Sequence, residues 1–312
     1  MEEKVIEEVE FKSLSDLINF VIPIGKYSNF ENYIFRGESK EYPLLPSFLR
    51  GDVKRKITNG DGILRELDLF ESRVIDAEYR YIRDFYIQSD LQGLNIPEIV
   101  ELRKDIITPF YFDHERRTDF TYNGTWIPEY LYEITGIAQH YGVPTRFIDW
   151  SLSFHTALFF ACEGITFDYN YNQLKTIYLD EQNTRQLFFI IWALNSFDIS
   201  RRTNNSIEVI RPRYTTNSNL TAQKGVFTFR KFKSHDDDAL PLDKYILDNA
   251  QPAAEHHSKQ PLLYRLKVPV RLYSEALEYL QQVGVSEKTL FPGFEGVARY
   301  IKRKQRLGDF RG

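Results

Sequence analysis

Leu187-Phe188-Phe189-Ile190-Ile191-Trp192-Ala193-Leu194 is the longest apolar run in the chain. It is far too short to cross a bilayer. No polar residue alternates within it, so it reads as a strand buried on both faces at the centre of a sheet. Working outward, Tyr33 to Gly37, Thr145 to Trp150, Gly225 to Phe232 and Leu262 to Val270 read as further strands. Helices fall between and beyond them. Ser13 caps a short amphipathic helix that runs to Phe20, with Asp16 three positions on completing a capping-box-like pattern. Leu67, Phe70, Val74, Ala77, Tyr81 and Phe85 recur at spacings of three and four, which predicts a helix from Ile63 to Tyr86. Pro128 opens a helix that Gly142 and Pro144 stop. Phe154 to Cys162 reads as a buried helix, and Ser274–Val283 and Glu295–Lys304 close the chain. The expected fold is α+β, with a mixed, mostly antiparallel central sheet flanked by helices. The expected organisation is a helical lead-in at 1–26, one domain over 27–306 with a helical insertion at about 60–130, and a tail at 307–312. No internal repeat and no Gly/Ser linker argues for more.

Composition narrows the function. With 27% charged and 42% apolar residues, the 312-residue chain has the balance of a folded globular protein. The net charge of -4 argues against a general nucleic-acid coat, which needs a basic surface to replace counterions. Its 24 Phe and 20 Tyr either fill and edge the core or line a pocket for a flat ring. The single cysteine, Cys162, lies in an apolar run and reads as a core packer; it allows no intrachain disulfide. No metal site is expected, since His140 has no partner at ligand spacing. The start Met1-Glu2-Glu3-Lys4 has no basic and apolar signal segment, so the expected location is the cytoplasm, away from membranes.

Four segments can carry chemistry. Phe35-Arg36-Gly37 ends a core strand on an arginine. That guanidinium either reaches phosphate oxygens in a cleft or pairs with a buried carboxylate. Ala138 to Ser151 clusters polar groups where a helix ends and a strand begins. Asp149 and Ser151 either cap the next helix or face a ligand, and His140 either binds the last helix carbonyls or does the same. Gln223, ahead of the strand at Gly225, can orient a ribose or an amide, or be a satisfied surface amide. Glu295 follows Phe291-Pro292-Gly293-Phe294 and reads as a first-turn helix acid. His235-Asp236-Asp237-Asp238 and His256-His257 read as solvated loops.

Together these segments resemble the FRG domain. The motif that names the family is Phe35-Arg36-Gly37, and Pro46-Ser47 with Arg50 is its next step. The strongest match is Gln139-His140-Tyr141-Gly142-Val143-Pro144-Thr145-Arg146-Phe147-Ile148-Asp149-Trp150-Ser151, followed by Ala157-Leu158-Phe159-Phe160-Ala161. Ala222 to Thr228 and Phe291 to Gly296 also match, so the resemblance spans roughly 27–306. Ser151 and Glu295 depart mildly, standing where the family commonly has Thr and Asp. A more distant resemblance is to the arginine-type ADP-ribosyltransferases, and it implies an ADP-ribosyltransferase-like core. It also implies NAD as substrate, held by Arg36, Gly37, His140, Tyr141, Thr145, Arg146 and Ser151. Glu295, Gln223 and Asp149 are then the catalytic candidates, with Glu295 the acid and Gln223 its rival for the ribose. A toxin or phage-defence effector with an unknown protein or nucleic-acid acceptor fits that reading, and the helical insertion is a place for a protein partner. Two alternatives stand beside it. One is a non-catalytic nucleotide- or ligand-binding module. The other is an enzyme on nucleic acid that uses Arg36, Arg50, Arg146 and the Lys302-Arg303-Lys304-Arg306 tail as phosphate contacts.

Overall fold

The computed structural model describes residues 4–23, 28–50, 70–107, 126–169, 171–179, 187–214, 217–231, 240–252 and 260–308. The two histidine-containing loops, the start of the 63–86 helix and much of the 60–130 insertion lie outside the described residues. Among those described, the strands are β1 (Ile6–Glu10), β2 (Tyr33–Glu38), β3 (Ile148–Ser151), β4 (Phe188–Asn195), β5 (Ile207–Ile210), β6 (Gly225–Arg230) and β7 (Leu263–Pro269). They form one sheet in the order β1-β7-β4-β2-β3-β6-β5. Only β1 and β7 run parallel; every other pairing is antiparallel. The chain is therefore α+β with a mixed, mostly antiparallel sheet. The apolar run forms β4, flanked by β7 and β2.

The helices among the described residues are α1 (Leu14–Val21), α2 (Phe70–Leu91), α3 (Val100–Ile107), α4 (Tyr132–His140), α5 (Phe154–Asp168) and α6 (Tyr171–Leu179). After β4 come α7 (Ile199–Arg202), α8 (Ser218–Ala222), α9 (Leu242–Asn249), α10 (Tyr273–Gln282), α11 (Glu287–Leu290) and α12 (Phe294–Gly308). None of them is long and apolar enough to cross a membrane. Ser13 caps α1 as the sequence predicts: its Oγ accepts from the Asp16 N–H and donates to the Asp16 carboxylate. The cap of α5 is Ser153, which accepts from Thr156, and not Asp149 or Ser151. Residues 1–26 supply an edge strand as well as the expected helix.

Side chains alternate across the sheet and split the core. Ile34, Trp150, Ile190 and Leu194 pack on one face with α9. The other face carries two separate clusters. Phe35, Phe189 and Leu266 pack beneath α1, α5 and α10. Phe147, Phe227 and Phe229 pack against α2, α3 and α4. Between those two clusters β2 and β3 share a single bridged pair, Phe35 with Ser151, whereas β2 pairs with β4 along its whole length. Beyond that pair the strands part. The sheet is split at its middle, on the face where the two clusters leave a gap.

Candidate functional site

A cleft of about 430 Å³ occupies the split. That volume suits a small-molecule ligand. Its walls are Phe35, Arg36 and Gly37 of β2 and Asp149, Trp150 and Ser151 of β3. Gln139 and His140 close one end of it from α4. Phe160, Glu163, Gly164 and Phe167 of α5 face them, and Gln223, Gly225 and Phe227 complete the rim. Helix α5 lies close enough to form this wall because Gly37 has no side chain. A Cβ there would stand 1.9 Å from the Ala157 carbonyl oxygen and 2.7 Å from the Ala161 nitrogen.

Arg36 sits in the parting of the strands. Nη1 donates to the Asp149 carbonyl oxygen at 2.9 Å, and Nε donates to Glu38 at 2.7 Å. Nη1 is also 3.7 Å from the Asp149 carboxylate. Burial works against its charge, but Glu38 and Asp149 outweigh burial and raise its pKa, so the guanidinium stays charged. Both sequence readings of Arg36 thus hold a part of the geometry: it lines the cleft, and it is paired with carboxylates.

His140 lies at the cleft wall with Nε2 3.1 Å from Asn219 Nδ2. An amide NH₂ can only donate, so Nε2 accepts and the ring proton sits on Nδ1. Burial lowers the His140 pKa, against the opposing pull of Asp149 and Glu295, and keeps the ring neutral at neutral pH. Ser151 Oγ accepts from the Ser153 N–H and donates to the Gln223 carbonyl at 2.7 Å. The Gln223 amide in turn donates to the Leu290 carbonyl at 3.1 Å, which ties the rim to α11.

Glu163 is the acid that the sequence reading did not select. It projects from α5 into the cleft, and Arg299 Nη1 holds it at 3.2 Å. Burial pushes its carboxyl above the ordinary glutamate range, with Arg299 pulling the other way. The signal was present in the sequence: Glu163 is the one charged residue between Phe154 and Phe167 apart from His155. A lone carboxylate on a buried helix needs a partner or a purpose. Arg299 also binds Glu295 at 2.8 Å and stacks over Phe291, 4.1 Å from the ring centre.

The structure brings Arg36, Gly37, His140, Asp149, Ser151 and Gln223 together in the cleft. It places four other predicted residues elsewhere. Thr145 is buried, where it bonds Gln139 through its hydroxyl and Ser47 through its backbone. Arg146 is buried in an ion pair with Glu78, whose carboxylate also takes the Arg146 backbone N–H at 2.7 Å and the Trp126 indole at 2.8 Å. Tyr141 is exposed, edge-on to His140. Glu295 is exposed in the first turn of α12, outside the cleft wall, where it pairs with Arg299 and its charge acts on His140. The Pro46-Ser47 step serves this architecture too, since Ser47 docks on the Thr145 backbone.

No curated protein and no solved structure matches the chain. The matched family region holds β2, α4, β3 and α5, the elements that build most of the cleft. Residues 31–168 match the family model of the FRG domain, and over that span the chain is similar to that family.

Proposed function

We propose that the cleft binds NAD and cleaves the bond between nicotinamide and ribose, passing ADP-ribose to a protein, a nucleic acid or water. The observation that carries this reading is the convergence on one cleft of a charged guanidinium, two carboxylates and aromatic faces. Arg36 is suited to the pyrophosphate, because its planar fork matches phosphate oxygens. Phe160 and Phe227 offer flat faces for the nicotinamide. When the C1′–N bond breaks, its electron pair leaves with nicotinamide and neutralises the ring, and C1′ becomes oxocarbenium-like. The Glu163 carboxylate stabilises that charge. The incoming acceptor or water then bonds to C1′ and gives its proton to the same carboxylate. An ADP-ribosyltransferase-like core and a role as toxin or phage-defence effector belong to this proposal.

A second reading, a nucleotide-binding module without turnover, has one observation in its favour. Arg36 is already held by Glu38 and Asp149, so a ligand must compete for it. The experiment is a labelled-NAD assay with the purified protein, alone and with cell extract. Arg36→Ala and Glu163→Gln are run beside the wild type. Label transfer or nicotinamide release by the wild type, reduced at least ~100-fold in both variants, is the expected result. NAD binding without turnover would favour the second reading, and absence of NAD binding would overturn both.

A further inference from the structure

Helix α12 turns two arginines toward the core and an apolar stripe toward water. A surface helix ordinarily turns its apolar stripe to the core and its charges to water. In α12 two arginines face inward, while Glu295, Lys302 and Lys304 stay exposed. Arg303, 6% exposed, makes a two-point pair with Glu287, which is 1% exposed. Arg299 reaches in to Glu163. Gly296 lets the helix press on α11, since a Cβ there would stand 2.1 Å from the Phe291 carbonyl oxygen. The apolar residues face outward: Phe294, Val297 and Ile301 are 95%, 45% and 50% exposed. Their spacing of three and four makes one continuous stripe along the outer side. Single exposed apolar residues are ordinary, but a continuous stripe marks an interaction surface.

We infer that this stripe packs against the same stripe of a second copy of the chain, as an antiparallel helix pair about a two-fold axis near Ala298. Charge selects this occupant and this direction. Glu295 and Lys302, both exposed, are seven positions apart and so lie on one flank of the stripe, two turns from each other. An antiparallel partner sets its Lys302 against Glu295, and its Glu295 against Lys302. A parallel partner would leave the two flanks that carry Glu295 and Lys302 on opposite sides of the pair, with no such match. The surface is therefore complementary to itself, as a two-fold interface requires. An anionic membrane surface would gain Lys302 and Lys304 but would meet Glu295 and a chain of net charge -4.

The test is sedimentation of the full chain from low to high micromolar concentration, for wild type and for Val297→Asp combined with Ile301→Asp. Both positions are exposed, so circular dichroism should show the variant folded. The expected result is a concentration-dependent dimer for the wild type and a monomer for the variant. A second measurement does not depend on that variant. Cys162 is the only cysteine and is buried. Ala298→Cys, near the axis, should therefore link two chains by a disulfide under mild oxidation, while exposed Ser15→Cys should not. A monomeric wild type at every concentration overturns the inference. So does a dimer that survives the double substitution, or a monomer that binds anionic phospholipid vesicles through Val297 and Ile301.

Discussion

Arg36 and Arg146 both stand in family motifs, yet the fold employs them oppositely. Arg36 opens onto the cleft, whereas Arg146 is sealed against Glu78. The difference was not legible in the sequence because Glu78 lies 68 positions before Arg146. Nothing local marks it as the partner. Glu163 illustrates the converse case: its position in an apolar helix was plain, but its purpose needed the cleft. Its raised pKa makes a stability prediction with a definite sign. The folded state holds the Glu163 proton more tightly than the unfolded state does. Its contribution is thus full below the unfolded glutamate pKa and is lost as pH rises through the raised folded value. Glu163→Gln keeps the neutral form at all pH values. Its thermal midpoint should match the wild type in acid and exceed it modestly at pH above neutrality. Equal midpoints at both ends would remove the burial cost assigned to this carboxyl.

At the scale of elements, the central strands were readable and the edge strands were not. β4, with apolar residues at nearly every position, announces itself. β1, Ile6-Glu7-Glu8-Val9-Glu10, is mostly charged because an edge strand pairs on one side and faces water. β5 at the opposite edge has only four residues. Neither carries enough periodicity to be read against its surroundings. Helix α5 was readable as buried, but its crossing of β2 depends on a missing atom. Gly37→Ala puts a methyl group where the Ala157 carbonyl oxygen stands. The clash is with backbone, so the helix must shift. The expected cost is about 1–3 kcal/mol, at the upper end of that range or above. Urea unfolding measures it. A loss of less than about 0.5 kcal/mol would mean that α5 moves freely on β2.

At the scale of the whole molecule, the sheet is two plates. One holds β1, β7, β4 and β2, and the other holds β3, β6 and β5. Their direct strand contact is the Phe35–Ser151 pair, reinforced by the Arg36 bond to the Asp149 carbonyl. The plates are further braced by α5, which touches both β2 and β3. If Arg36 is a brace of this kind, Arg36→Ala should speed amide hydrogen exchange in residues 35–38 and 148–151 and leave α10 as slow as before. Unchanged exchange across the split would assign the brace to α5 and to the packing of Ile34 with Trp150 on the opposite face. The sequence could place both strands, but not their parting, because pairing partners come from topology and not from composition.

The split also means that part of the cleft wall is main chain. Past Phe35 and Ser151, the peptide groups of β2 and β3 no longer meet each other across the gap. Peptide donors and acceptors are common to all residue types except proline, which lacks the donor. Recognition built on them survives most single substitutions. If the cleft binds the proposed ligand, side chains around it can vary while main-chain contacts stay, and a scan of alanine replacements would understate the backbone's share of binding.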